Sequence, residues 1–141
     1  MKQQHQKLLA GVYLDSQKAI IIRPAPDYEM GDYIIQDIFE ADKHDRTGDQ
    51  DSKNHARQSD LLKYFKSVAG LLLVYDEVYI FGPGNTQEQF KNHLKEDAQF
   101  KNKQFTIDSS EQLTEHLMIA KVRDFFQPQL STVASAEKVH L

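Results

Sequence analysis

The stretch VYIFGPGNTQEQF, residues 78–90, decides the fold of this chain. It starts with β-branched and aromatic residues, which favour a buried strand, and turns polar with helical spacing after Gly82, Pro83 and Gly84. The two glycines can adopt a positive φ or allow close backbone approach, whereas Pro83 fixes its own φ and lacks an N–H donor. The segment therefore predicts a strand, a tight loop and a helix. Asn85 or Thr86 can cap this helix.

The N-terminal part of the chain predicts a three-stranded meander. Two apolar runs, residues 8–14 and 18–23, are separated by Asp-Ser-Gln, which is typical of a hairpin turn. The second run contains AIIIR and is almost continuously apolar, so we expect it to be an interior strand. Residues 33–39 form the third predicted strand.

A charged segment separates the meander from the next predicted helix. Residues 40–60 have almost no apolar side chains and alternate in charge sign, which predicts a mobile loop. Residues 57–73 place apolar side chains at helical spacing, although residues 70–81 also fit one long strand. We favour the helix, followed by a turn and a strand over residues 77–81.

The C-terminal part predicts one short strand, residues 103–108, and the clearest helix of the chain. Ser109 and Gln112 have the spacing of a capping box. The helix after them has an apolar stripe made of Leu113, Leu117, Met118, Ala120, Val122 and Phe125. Residues 127–141 are weakly patterned, so we expect a flexible tail, with a short lone helix as the alternative. The whole order predicts one α/β domain over residues 1–126, with the last two strands parallel and the meander extending a mixed sheet.

Composition excludes several classes of protein. The 141 residues are 40% hydrophobic and 27% charged, which is ordinary for a soluble globular domain. The absence of cysteine excludes disulfides and cysteine metal sites, so we expect a cytoplasmic protein. No apolar run reaches the length of a membrane span or of a signal-peptide core. The net charge of −4 disfavours a broad non-specific grip on nucleic acid, and we expect no DNA partner.

The motifs do not assemble a catalytic site. The Gly-Pro-Gly loop lacks the third glycine of a dinucleotide fingerprint, where Gln87 stands, and no Gly-Lys-Ser or Gly-Lys-Thr follows it. It can still offer helix N–H groups to an anion, although a tight packing turn is the simpler interpretation. Asp and His residues between 42 and 55 lack the pattern of a calcium loop, so we assign no metal and no cofactor. Lys121 and Arg123 fit stabilisation of a helix dipole, with an RNA or acidic-partner contact as the alternative.

Three collinear blocks carry a family resemblance: GVYLDSQKAIII, VYIFGPGNTQEQFKNHL and LTEHLMIAKVRDFF. They resemble small bacterial proteins related to the C-terminal domain of eukaryotic and archaeal class I peptide-chain release factors and of Pelota. The likeness covers residues 9–126 and implies a three-layer α/β/α sandwich similar to that of the kink-turn-binding ribosomal proteins. In the release factors this domain resembles a docking module for a partner GTPase, whereas peptide release belongs to a separate domain with a Gly-Gly-Gln motif. This chain has no Gly-Gly-Gln.

We therefore expect a non-enzymatic, translation-related module that docks to the ribosome, RNA or a translation factor. The alternatives are a small-ligand or anion-binding enzyme that uses the Gly-Pro-Gly loop, and a purely protein-binding adaptor. No catalytic residue, membrane partner or oligomeric state is assigned. The candidate binding residues are Gly82, Pro83, Gly84, Asn85, Thr86, Lys91, Lys121 and Arg123.

Overall fold

The computed structural model describes residues 7–25, 32–41 and 50–127, without the side chains of residues 50–58. Its strands are β1 Leu9–Leu14, β2 Lys18–Pro24, β3 Tyr33–Glu40, β4 Glu77–Gly82 and β5 Gln104–Ser109. Its helices are α1 Gln50–Leu72, α2 Thr86–Lys95 and α3 Glu115–Phe126, with a short 3-10 helix, Ala98–Phe100, after α2. Apart from Gln127, the tail predicted over residues 127–141 lies outside the described residues.

The strands form one mixed sheet in the order β3-β2-β1-β4-β5. β2 pairs antiparallel with both β1 and β3, whereas β4 pairs parallel with β1 and with β5. This topology confirms the predicted meander, the interior position of β2 and the parallel arrangement of the last two strands. Parallel strands need crossover connections, and α1 and α2 provide them.

Helices cover both faces of the sheet. Successive strand residues point to opposite sides, so the apolar strands contribute buried side chains to both faces. On one face α1 and α2 pack through Phe65, Val68, Leu72, Phe90 and Leu94. On the other face α3 packs through Met118 and Val122. The chain is therefore an α/β domain of three layers around a mixed sheet, as predicted.

Helix α3 approaches β1 closely at Gly11. A Cβ added at Gly11 would lie 2.7 Å from Cγ1 of Val122, and closer still to Cγ2. A side chain at this position would therefore force the Val122 side chain, or the helix that carries it, to shift. The glycine thus sets the distance between α3 and the middle strand of the sheet.

The mobile loop predicted over residues 40–60 is wrong in its second half, because α1 begins at Gln50. Residues 42–49 lie outside the described residues. Among the side chains of α1 that the structure describes, residues 59–72, the buried ones that pack on the sheet lie from Tyr64 to Leu72. A helix anchored there can continue backward through polar residues, since each added residue contributes one backbone hydrogen bond. The first turns of α1 were not predicted, because their sequence is polar and has no apolar stripe at helical spacing.

The start of α3 also differs from the prediction. Ser109 is the last residue of β5, where it pairs with Gly82, and the capping box with Gln112 is wrong. The N-cap is Thr114, whose Oγ1 accepts a hydrogen bond from the Leu117 amide at 3.3 Å. Of the predicted stripe, Leu113 lies before the helix and Leu117 is 50% exposed, whereas Met118 and Val122 are buried.

Candidate functional site

The Gly-Pro-Gly loop lies at the carboxyl end of β4, where the chain leaves the sheet for α2. The chain leaves β5 for α3 on the opposite face, so the two connections diverge at neighbouring strands. In open α/β sheets this divergence is the common place for a binding crevice. The loop therefore lies at the end of the sheet where folds of this class commonly form a binding crevice.

The two glycines of the loop serve different purposes. A Cβ at Gly82 would collide with the carbonyl oxygen of Leu14 at the end of β1. Gly84 has a φ of 71°, and nothing lies within 4 Å of the place its Cβ would occupy. Gly82 is thus required by packing, and Gly84 by the backbone conformation that glycine adopts without strain. Both requirements agree with the predicted strand-loop-helix segment.

The N-terminus of α2 has no side-chain cap from its N-cap residue. Asn85 is the N-cap residue, but its side chain makes no capping hydrogen bond. Its carbonyl oxygen accepts hydrogen bonds from the amides of Glu88 and Gln89, each at 3.1 Å. The N-terminus of α2 therefore presents backbone donors without an Asn85 side-chain acceptor.

Gln87 is a structural residue of this loop that the sequence analysis did not recognise. It is 1% exposed, and its Nε2 donates to the carbonyl oxygen of Gly84 at 3.1 Å. Its Oε1 is buried and has no hydrogen-bond partner among the described residues. The available signal was its spacing, since Gln87, Phe90 and Leu94 share the buried face of α2.

A shallow cavity of about 340 Å³ lies between this loop and the turn that joins β1 to β2. Of the candidate residues, Pro83, Gly84 and Thr86 line it. The other lining residues are Asp15, Ser16, Gln17 and Gln112. The loop and the β-hairpin turn thus form one polar surface.

The Asp15 carboxylate dominates the electrostatics of this cavity. Oδ1 accepts hydrogen bonds from the amides of Gln17 and Lys18, both at 2.8 Å, and Oδ2 accepts one from the Tyr13 hydroxyl at 3.3 Å. A negative charge at this place opposes the approach of a phosphate toward the N-terminus of α2. The surface instead favours groups that donate hydrogen bonds.

Two buried tyrosines hold the turn beside the cavity. Burial, with Asp15 nearby, raises the pKa of Tyr13 to about 12. Burial also raises the pKa of Tyr64, whose hydroxyl donates to the Asp15 carbonyl oxygen at 2.9 Å. Both hydroxyls therefore remain protonated donors well into the alkaline range, and they fix the turn in place.

The three basic candidate residues are not gathered at the loop. Lys91 lines a different cavity, beyond the C-terminal half of α2. Nζ of Lys121 lies 3.9 Å from Oδ2 of Asp108 and 5.9 Å from the ring centroid of Phe81. Nε of Arg123 lies 3.5 Å from Oδ1 of its neighbour in sequence, Asp124. The candidate binding residues therefore divide into those of the Gly-Pro-Gly loop and three basic residues that lie elsewhere, Lys91, Lys121 and Arg123.

The described residues contain no group of three or more His, Asp or Glu side chains placed to hold a metal ion. Within the same ranges, no helix combines the length and apolar character needed to cross a membrane.

Together the fold and the loop define a class: an α/β domain with a five-stranded mixed sheet and a Gly-Pro-Gly loop after β4. A search of solved structures finds the same fold in Pelota from the archaeon Archaeoglobus fulgidus, with a TM-score of 0.52 and 16% sequence identity. The match covers 96% of this chain and 37% of that Pelota chain. No family model and no curated protein matches the sequence. The chain thus has a Pelota-like α/β fold and spans little more than a third of the Pelota chain's length.

Proposed function

We propose that this domain is a non-enzymatic, translation-related binding module that docks to the ribosome, RNA or a translation factor. The observation that carries the proposal is the structural likeness to Pelota over 96% of the chain. The sequence blocks that resemble the C-terminal domain of release factors and Pelota support the same class. Because the likeness covers only 37% of the Pelota chain, the proposal concerns a domain function and not that of the whole Pelota chain.

The docking surface in this proposal is the polar end of the sheet around Gly84, Asn85 and Thr86. It is rigidly supported, because Gly82 abuts Leu14 and Gln87 holds the Gly84 carbonyl group. A preformed surface loses little conformational entropy when a partner binds. This property suits recognition by a module that keeps its shape.

The hydrogen bonding of Asp15 favours binding over catalysis at this surface. Its carboxylate accepts two backbone amides and the Tyr13 hydroxyl, so holding the β1–β2 turn accounts for this residue without a catalytic role.

The alternative proposal is a small-ligand or anion-binding enzyme that uses the same loop. The uncapped N-terminus of α2 favours it, because backbone donors there attract an anion. The Asp15 carboxylate in the same cavity disfavours it. A purely protein-binding adaptor is the remaining proposal, and it differs from the first in having no RNA-dependent contact.

The test is sedimentation of tagged protein with ribosomal particles from a cell lysate, with and without RNase. The test variant is Thr86→Glu, which places a charge in the cavity. The matched control is Gln89→Glu, which adds the same charge to the same helix at an exposed position outside the cavity.

We expect the wild type and Gln89→Glu to sediment with the particles and Thr86→Glu to be reduced several-fold. Loss on RNase treatment would favour an RNA contact, and an RNase-resistant protein partner would favour the adaptor. Folded wild-type protein that stays entirely in the supernatant would contradict the translation-related role.

A further inference from the structure

A second cavity, of about 660 Å³, lies between the C-terminal half of α2, the 3-10 helix and the start of β5. Four lysines and two acidic residues line it: Lys91, Lys95, Lys101, Lys103, Glu96 and Asp97. The apolar residues between them are Leu94, Ala98, Phe100 and Phe105. This region is positively charged in a chain whose net charge is −4.

The lysines of this cavity are poorly compensated within the domain. Lys91 and Lys95 are four residues apart on α2, where like charges repel. Lys91, Lys95 and Lys101 form no ion pair among the described residues. Only Lys103 is held, by donation from Nζ to the Tyr75 carbonyl oxygen at 2.7 Å. An anionic partner would relieve this repulsion.

The acidic residues of the cavity do not cancel this charge. Asp97 is engaged locally, because its side chain accepts the Gln99 amide at 3.0 Å and caps the 3-10 helix. Glu96 is the C-cap residue of α2. The lining therefore carries four positive and two negative charges, an excess of two.

Strand β5 adds a second kind of contact beside this cavity. It is the last strand of the sheet and pairs only with β4 in the described part of the chain. Its outer edge can therefore accept another strand through backbone hydrogen bonds. Phe105 belongs both to β5 and to the cavity lining, and its ring centroid lies 5.9 Å from that of Phe100.

We propose that this cavity and the outer edge of β5 bind an extended acidic peptide segment of a partner protein. One apolar side chain of the peptide enters between the lysines, its carboxylates pair with Lys91, Lys95 and Lys101, and its backbone pairs with β5. The proposal deepens the proposed function, since it names a partner class for a binding module, and it uses a surface separate from the Gly-Pro-Gly loop.

The observations favour a peptide over a nucleic acid. Of the two aromatic residues in the lining, Phe100 is 4% exposed and Phe105 is partly buried, so the cavity does not offer the series of open aromatic faces on which successive bases stack. A free strand edge supplies donors and acceptors in the repeat of a polypeptide backbone, which a nucleic acid does not match. Charge complementarity then selects an acidic sequence.

The experiment selects binders from a phage library of random linear peptides against the intact protein. The same selection is run with Lys91→Glu/Lys101→Glu and with the control Lys63→Glu/Lys66→Glu. The control makes the same charge change at two exposed positions on α1 outside this cavity. A labelled copy of the most enriched peptide, and a labelled single-stranded RNA, are then titrated against all three proteins by fluorescence anisotropy.

We expect the wild type and the control to enrich peptides in which acidic residues flank an apolar residue. The cavity variant should bind the enriched peptide at least about tenfold more weakly, and added salt should weaken wild-type binding. All three proteins must first show the same cooperative thermal unfolding. Sedimentation with ribosomal particles, measured on the same variants, reports separately on the proposed function.

Several outcomes would overturn the proposal. These are no enrichment, enrichment of neutral or basic peptides, equal affinity of the enriched peptide for the cavity variant and the control, or lysine-dependent binding of the RNA without peptide enrichment. If a cavity double variant does not fold, the single variant Lys101→Glu, compared with Lys63→Glu, decides by the same criterion.

Discussion

The side-chain amide of Gln87 donates to the carbonyl oxygen of Gly84 at 3.1 Å and so ties the first turn of α2 to the loop before it. The same side chain is almost fully buried and leaves Oε1 without a partner among the described residues. One satisfied donor is thus combined with one unpaired acceptor, which costs free energy in the interior. Substitutions at this residue can separate the two contributions.

We expect Gln87→Met to change the free energy of unfolding by less than about 1 kcal/mol, because it removes both the hydrogen bond and the unpaired acceptor at similar volume. Gln87→Glu should be destabilised increasingly as the pH rises, because a buried ionised carboxylate is disfavoured, whereas the protonated group can still donate to Gly84. Urea denaturation over a pH series measures both effects. A pH-independent difference between Gln87→Glu and the wild type would contradict this account.

The positive φ of Gly84 predicts a conformational penalty for any side chain there. Gly84→Ala should lower the free energy of unfolding by about 1–2 kcal/mol, and Gly84→Asn by less, since Asn tolerates the left-handed region. Gly70→Ala is the control, because Gly70 lies in α1 with open space at its Cβ position and the substitution should stabilise the helix by up to about 1 kcal/mol. Chemical denaturation of the three variants measures the difference. Equal changes in the free energy of unfolding at both glycines would show that backbone conformation does not determine the effect of the substitution.

The contact between Gly11 and Val122 predicts a specific coupling. Gly11→Ala should cost about 1–3 kcal/mol, because the added methyl group meets the Val122 side chain. Val122→Ala alone should also cost stability through lost packing in the interior. Together they should cost less than the sum, with a coupling of about 1 kcal/mol in a double-mutant cycle. Additive effects would mean that α3 does not rest on β1 at this point.

The buried tyrosines predict a loss of stability at alkaline pH. The pKa of Tyr13 is raised in the folded protein from 10.0 to about 12. Because the pKa is raised on folding, the unfolded chain loses this proton at a lower pH than the folded protein does. The contribution of the protonated Tyr13 to the free energy of unfolding is therefore complete below pH 10 and declines as the pH rises from 10 toward 12. Tyr13→Phe should therefore show a shallower decline over this range, measured by urea denaturation. An unchanged slope would argue that Tyr13 ionises alike in both states.

The periodicity of apolar residues in the sequence predicted those strands and helices whose apolar residues are the ones buried in the structure. The apolar residues before Gly82 are buried in β4, and the polar residues after Gly84 form α2, because strand and helix periodicities change at the glycines. The first turns of α1 could not be predicted in this way, since a polar segment gives no periodic signal. Ser109 resembles a helix cap in isolation, but its pairing with Gly82 keeps it in β5.

The candidate site was predicted only in part for a similar reason. The loop was visible because glycine and proline restrict the backbone locally. Asp15 is distant from Gly84 in sequence, and only the pairing of β1 with β4 brings it to the same cavity. Lys91 belongs instead with Lys101, a grouping that depends on how the chain folds back after α2 into β5.

The middle position of β1 has a consequence for the order in which the sheet can assemble. Its antiparallel neighbour β2 follows after a short turn, whereas its parallel neighbour is far along the chain, since Leu9 pairs with Glu77. Closing the longer loop costs more chain entropy, so we expect the hairpin to form before β4 arrives. Until then the open edge of β1 has the buried side chains of Val12 and Leu14 beside unpaired backbone groups. Such an edge can pair with another chain, so the yield of refolding should fall as protein concentration rises.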